Sequence, residues 1–215
     1  PLGILYLASV ARACGFNVKI LDLHKKFCEM VWSKNIKYTS IQNFLNEEIK
    51  QKILRYKPVL VSISCLFSMA SEVAHDVAAF VKSANANSKV LMGGGYPTNS
   101  TKEALQDNNL DLVIIGEGEH AFREIICLLD KYNPKNFFNN PAIATRASLN
   151  KKIKPVGDKI QDLDDLPYPA WDLFEKPMSY ITGTNRTRSY KVKERRCVSL
   201  YTSRGCPFYC TFCAS

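Results

Sequence analysis

Apolar residues recur with helical spacing at Leu2, Leu5, Tyr6, Val10 and Ala13, which predicts a helix closing at Cys14. Gly15 follows, where a helix end favours a left-handed residue. Asn17 to Asp22 carries Val18, Ile20 and Leu21 and is predicted as a strand. Helix, glycine and strand make half of a βαβ unit, so its first strand is expected before Pro1. The pattern loosens over residues 24–39, where Phe27, Met30, Val31 and Trp32 offer scattered apolar surface. Ser40 can cap a helix reaching about Tyr56, with Ile41, Phe44, Leu45, Ile49 and Ile53 on one stripe. Pro58 ends it, and Val59 through Ser64 reads as a buried parallel strand.

The same rhythm continues. Ser71 to Ser83 is predicted as an amphipathic helix, Lys89 to Met92 as a strand, and Gly93-Gly94-Gly95 as a turn. Thr101 to Gln106 makes a short helix and Asp111 to Ile115 a strand. Gly116-Glu117-Gly118-Glu119 then leads into a helix ending near Lys131. Alternating strands and helices predict an α/β, doubly wound (Rossmann-like) parallel sheet over residues 1–132, lacking its first strand. The rhythm changes after Asn133-Pro134. Residues 142–146 and 152–156 read as a hairpin over Leu149-Asn150, and Asp162 to Phe174 as an acidic, proline-containing linker, which together fill residues 133–196. Cys197 to Tyr201 is predicted as a strand that opens a further domain at residues 197–215 and delivers a cysteine loop at its C-terminal end.

Composition narrows the class. The 215 residues are 46% hydrophobic and 23% charged, ordinary values for a soluble globular protein. Eight cysteines are too scattered for a disulfide framework. Cys14, Cys28, Cys65 and Cys127 lie in apolar runs and are expected as buried thiols, which fits a reducing cytoplasm. No run reaches the roughly 18–20 apolar residues of a membrane helix. The start shows no signal-peptide pattern. It also lacks a methionine, and the chain reads as a fragment cut at both ends. The net charge of +9 concentrates in Lys151–Lys154 and in Arg186–Arg196. These runs are read as solvated loops rather than as a nucleic-acid face, with contact to an anionic substrate or RNA as the alternative.

The chemistry lies in Cys206, Cys210 and Cys213, spaced C-x3-C-x2-C. Such a loop points three thiolates at one centre. Zinc asks for a fourth ligand, for which Cys197 is the candidate. A 4Fe–4S cube can be held by three cysteines, which leaves one iron open for chemistry. The run Ser203-Arg204-Gly205-Cys206-Pro207-Phe208-Tyr209-Cys210-Thr211-Phe212-Cys213 closely resembles the cluster loop of radical S-adenosylmethionine (SAM) enzymes. That resemblance implies a 4Fe–4S cluster on the three cysteines and SAM on the open iron, with Phe212 near the adenine. It further implies reductive cleavage to a 5′-deoxyadenosyl radical, with electrons from a reductant such as flavodoxin or ferredoxin.

A second site is expected outside the C-terminal ends of the strands, where doubly wound sheets bind ligands. Three segments reach that edge: Ser64-Cys65-Leu66, Gly93-Gly94-Gly95-Tyr96-Pro97-Thr98 and Gly116-Glu117-Gly118-Glu119. Glycines there permit close backbone approach to a large ligand, and Ser64 and Thr98 can hydrogen-bond it. Glycines after strands also simply make turns. Together these segments, with the linker Leu166-Pro167-Tyr168-Pro169-Ala170-Trp171-Asp172, resemble the cobalamin-binding domain that precedes one large branch of radical SAM enzymes. In that fold Ser64, Leu66, Gly93 and Gly94 match positions lining the nucleotide tail. Many cobalamin proteins carry D-x-H-x-x-G, whose histidine binds cobalt. Asp22-Leu23-His24 matches only its first half, and Phe27 replaces the glycine, so no histidine of this chain is expected on cobalt.

The resemblance implies a cobalamin-dependent radical SAM enzyme acting on a small molecule, by methylation or ring formation at an unactivated carbon. Its alternatives are a methylthiotransferase on RNA or protein and a cobalamin-binding carrier or sensor with a metal-stabilised tail. The first needs a second cysteine trio, which Cys14, Cys28 and Cys65 do not match in spacing. Catalytic side chains and the substrate are not legible in these residues.

Overall fold

The computed structural model describes residues 2–137, 139–149, 157, 159–181, 199–206, 208, 210 and 211. They fall into two units: the chain up to Leu21 joined by the stretch from Gln161 on, and the continuous stretch Asp22–Ile160.

In the first unit, helix α1 (Leu2–Ala13) ends as its sequence predicts. Gly15 takes φ +85°, its N–H donates to Arg12 O (2.9 Å), and the Phe16 N–H donates to Ala11 O (3.0 Å). This pair of bonds is a Schellman cap. The expected strand over Asn17–Asp22 does not form. Ile20, partly buried, instead packs against a cluster of Leu2, Leu5 and Phe174, as do Tyr6, Trp171 and Tyr180. The linker docks on α1: Ala170 N donates to Leu5 O, Ser9 Oγ donates to Tyr168 O, and Arg12 grips both oxygens of Asp172. That ion pair is exposed and contributes under about 1 kcal/mol.

The second unit opens with helix α2 (Leu23–Trp32), in the stretch that read as irregular. Asp22 caps it by accepting from Lys25 N at 2.8 Å. No residue of α2 is buried, which is why no stripe betrayed it. Helix α3 (Ile41–Tyr56) follows with Ser40 accepting from Asn43 N, and Phe44, Leu45, Ile49 and Ile53 buried. Strands β1 (Leu60–Ser64), β2 (Lys89–Gly93) and β3 (Leu112–Ile114) pair in parallel, in that order. Between them run α4 (Ser71–Ala84), α5 (Gly95–Asn99) and α6 (Thr101–Ala104); α7 (Glu119–Cys127) follows β3. Strand β4 (Ile143–Ala144) then joins the sheet antiparallel to β3, Ile114 opposite Ile143. The 142–146 strand of the expected hairpin therefore belongs to the main sheet. Its expected partner at 152–156, like the two basic runs and Cys197, lies outside the described residues. The short helix α8 (Met178–Ile181) belongs to the first unit.

Val90, Leu91 and Met92 of β2 are buried on both faces, as are Leu112 and Val113 of β3. Each such side chain contributes on the order of 1.5–3 kcal/mol of burial. β1 differs from expectation. It is the sheet's edge among the described strands, Val59 just before it is 64% exposed, and no residue of it is fully buried. Its apolar run was the signature of a strand flanked on both sides, but here only β2 pairs with it. No described helix is long and apolar enough to cross a membrane.

Candidate functional site

The three turns singled out in the sequence meet at the C-terminal ends of β1, β2 and β3, because parallel pairing in the register Ser64↔Gly93 brings these ends level. Backbone bonds lace the first two together. Cys65 N donates to Gly93 O at 2.9 Å, and Tyr96 N returns a bond to Cys65 O at 3.2 Å. The third is tied in by a side chain, since Gly116 N donates to Thr98 Oγ1 at 3.0 Å.

The glycines of the middle turn have different reasons to be glycine. Gly94 has φ +113°, and a Cβ there would lie 2.4 Å from Cys65 O. A Cβ on Gly95 would lie 2.5 Å from Leu66 O. Contact within the protein thus demands both. Gly93 is otherwise: the nearest atom to a Cβ there is Ile114 Cβ at 3.9 Å, an ordinary contact. The fold does not require glycine at 93. Around it Ser64 is exposed and Leu66 is 62% exposed, while Cys65 and Pro97 are buried. Burial raises the Cys65 thiol above its usual range, which keeps it protonated and unreactive.

The acidic members of the third turn serve the chain itself. Glu117 Oε2 accepts from Ile160 N at 2.8 Å, and Gly157 crosses so close that a Cβ on it would lie 2.9 Å from Gly116 Cα. Gly116 itself takes φ +75° and is exposed; Gly118 caps α7. Glu119, 4% exposed, opens α7, where the helix N-terminus favours a carboxylate. His24 lies in the first turn of α2, with its Nε2 3.7 Å from Cys28 Sγ. One member of the site escaped the sequence. His75, for which no partner was legible, bonds Tyr96 of the middle turn.

In the first unit, Ser199–Tyr201 pairs with no strand, unlike the expected 197–201 strand. Cys206 and Cys210 are exposed thiols, and Phe212 and Cys213 lie outside the described residues. The start of the loop is anchored: the Arg204 guanidinium lies 5.2 Å from the Tyr6 ring centre and 5.7 Å from that of Tyr201. Gly205 takes φ +84° with open space beside it. Exposed, soft sulfur donors suit an iron–sulfur cluster.

The chain has relatives among known methyltransferases and cyclases. Over its full length the chain is 27% identical to a cytidylyl-2-hydroxyethylphosphonate methyltransferase of Streptomyces wedmorensis, covering 44% of that protein. It is 29% identical to an uncharacterized methyltransferase of Pyrococcus horikoshii, again along the whole chain and over 40% of the relative. An anaerobic magnesium-protoporphyrin IX monomethyl ester cyclase of Synechocystis is 24% identical over 99% of the chain and 37% of its own length. The chain thus spans less than half the length of each. The B12 binding domain family matches residues 1–126, more than half of the chain, and the chain belongs to that family.

Proposed function

We propose that this chain serves a cobalamin-dependent radical SAM enzyme that methylates, or closes a ring at, an unactivated carbon of a small molecule. The observation that carries the reading is the union, in one chain, of a B12 binding domain with a C-x3-C-x2-C loop. The similarity to methyltransferases continues past the B12-binding region through that loop. When bound, the 4Fe–4S cluster and SAM would supply a 5′-deoxyadenosyl radical and cobalamin a transferable methyl group.

The chain's own residues divide the work. Cys206, Cys210 and Cys213 offer the thiolates, and Phe212 seats the adenine. Arg204, stacked on Tyr6 and Tyr201, fixes the loop's entry. Gly93 leaves its approach free of side chain, with the Ser64 hydroxyl and the Leu66 side chain beside it for a nucleotide tail. Gly94, Gly95, Pro97, Thr98 and Gly116 to Glu119 hold that edge in shape. A flavodoxin or ferredoxin donates the electron, and a reducing cytoplasm suits thiols of this kind.

Two titrations test it. Under anaerobic conditions the chain should take up about four iron and four sulfide, and hydroxocobalamin should bind with a shift of its visible absorption. Replacement of all three cysteines by alanine should abolish iron uptake and leave cobalamin binding unchanged. Iron content equal to wild type in that variant would sink the cluster assignment. One zinc in place of iron would favour the carrier reading. About twice the iron would favour the methylthiotransferase.

A further inference from the structure

A polar chain runs through the second unit to the middle turn. Asp107 Oδ1 accepts from both the backbone N and the side-chain Nδ2 of Asn109, each at 2.8 Å, and Arg146 donates to the Asp107 carbonyl. The other carboxylate oxygen, Oδ2, accepts from His75 Nδ1 at 2.7 Å. In the tautomer that carries its proton on Nδ1, the ring donates to Asp107 and presents Nε2 as an acceptor. The Tyr96 hydroxyl lies 3.0 Å from Nε2, to which it donates in that tautomer, the two rings standing edge to face. Burial raises the Tyr96 phenol, with Cys65, Glu103 and Asp107 adding to the effect, so the proton stays on the phenol.

We infer that His75, oriented by Asp107, is a positioning residue, holding Tyr96 and with it the Gly93–Gly95 turn in the form that receives the cofactor's nucleotide tail. Tyr96 comes directly after Gly94 and Gly95 in the turn, and it is fixed twice, by its N–H to Cys65 O and by its hydroxyl to His75. A phenylalanine would fill the same volume. The hydroxyl adds direction, because a hydrogen bond in a partly buried site fixes the ring where packing alone lets it move. Three glycines in succession bring no side chain of their own to hold this turn, and an external brace supplies what they lack. The inference deepens the cobalamin reading and names residues that act on the ligand only through the turn.

Three variants separate a brace from mere filling. Tyr96→Phe removes the donor. His75→Asn keeps an amide near Nδ1 for Asp107 but offers Tyr96 nothing. His75→Gln puts an amide oxygen near Nε2 and so restores the acceptor. In the chain without ligand, amide exchange over residues 93–99 should rise about tenfold in Y96F and H75N, the loss of one hydrogen bond. It should stay within about threefold of wild type in H75Q, and β2 and β3 amides should not change. Hydroxocobalamin should bind about tenfold more weakly to Y96F and H75N, and H75Q should recover most of the loss. Exchange that is unchanged in Y96F and H75N, or that rises equally throughout the unit, overturns the inference. If the exchange pattern holds while the wild type binds no hydroxocobalamin, the brace stands and the cobalamin reading falls.

Discussion

The two ends of the parallel sheet are built on opposite plans. At the N-terminal end, charges are gathered and neutralised. Asp111 accepts from Lys82 Nζ at 2.7 Å and from Val90 N at 2.8 Å, with Lys89 Nζ 3.7 Å away. Lys82 also donates to Ser88 O, Ser88 Oγ donates to Pro58 O, and Lys89 stacks over Tyr132, whose phenol burial pushes up to about 12. Asp111, Lys82 and Ser88 all find partners inside the protein. At the C-terminal end the turns are joined mainly by backbone, and Ser64 and Leu66 face solvent beside Gly93. One end closes on itself; the other leaves room. Polar side chains at a strand end say little about function until their partners are known.

The largest expected effect tests whether the open end is nonetheless rigid. Gly94→Ala places a methyl group against Cys65 O in a backbone conformation that alanine rarely adopts. Two penalties combine, and the second unit should lose about 3 kcal/mol or more. Urea unfolding followed by circular dichroism measures it. Wild-type stability in this variant would mean the turn is loose, and the contrast between the ends would lose its basis. Next comes Asp111→Ala at the closed end. It strands two lysines and the Val90 N–H in a half-buried site, at a cost of about 2 kcal/mol. Hydroxocobalamin affinity should be unchanged, since no part of this cluster reaches the glycine turns.

Most of the elements behind this contrast were legible in the sequence, the charge cluster at the N-terminal end was not, and the reasons are physical. Helices α3 and α4 announce themselves by buried stripes, and β2 by a run buried on both faces. Helix α2 buries nothing fully and so left no stripe. The run around Ile20 has the right composition for a strand, but tertiary packing on Leu2, Leu5 and Phe174 claims it. His75 was opaque because its partners stand 21 and 32 residues away, beyond the reach of any local pattern. The glycine turn was visible as a turn. That Gly94 serves the fold while Gly93 does not could be seen only once neighbouring atoms had places.

Gly93→Ala turns that distinction into a measurement. Its Cβ would meet only Ile114 Cβ, at 3.9 Å, so stability should stay within about 0.5 kcal/mol of wild type. Hydroxocobalamin should bind at least about tenfold more weakly, or 1.4 kcal/mol, because a methyl group now stands where the ligand approaches. Stability lost without affinity would place Gly93 with Gly94, as a residue of the fold.

The smallest effect concerns the join between the second and third turns. Thr98→Val keeps shape but removes the acceptor of the Gly116 N–H, which lies near solvent and can bond water instead. The loss should therefore be below about 1 kcal/mol. Thr98→Ser keeps the acceptor and should restore amide protection at Gly116. If valine instead cost as much as Asp111→Ala, the join would be buried and essential, and the C-terminal end would be as closed as the other. A small, local loss of protection at Gly116, with β2 and β3 unaffected, is what an edge held by a few replaceable bonds requires.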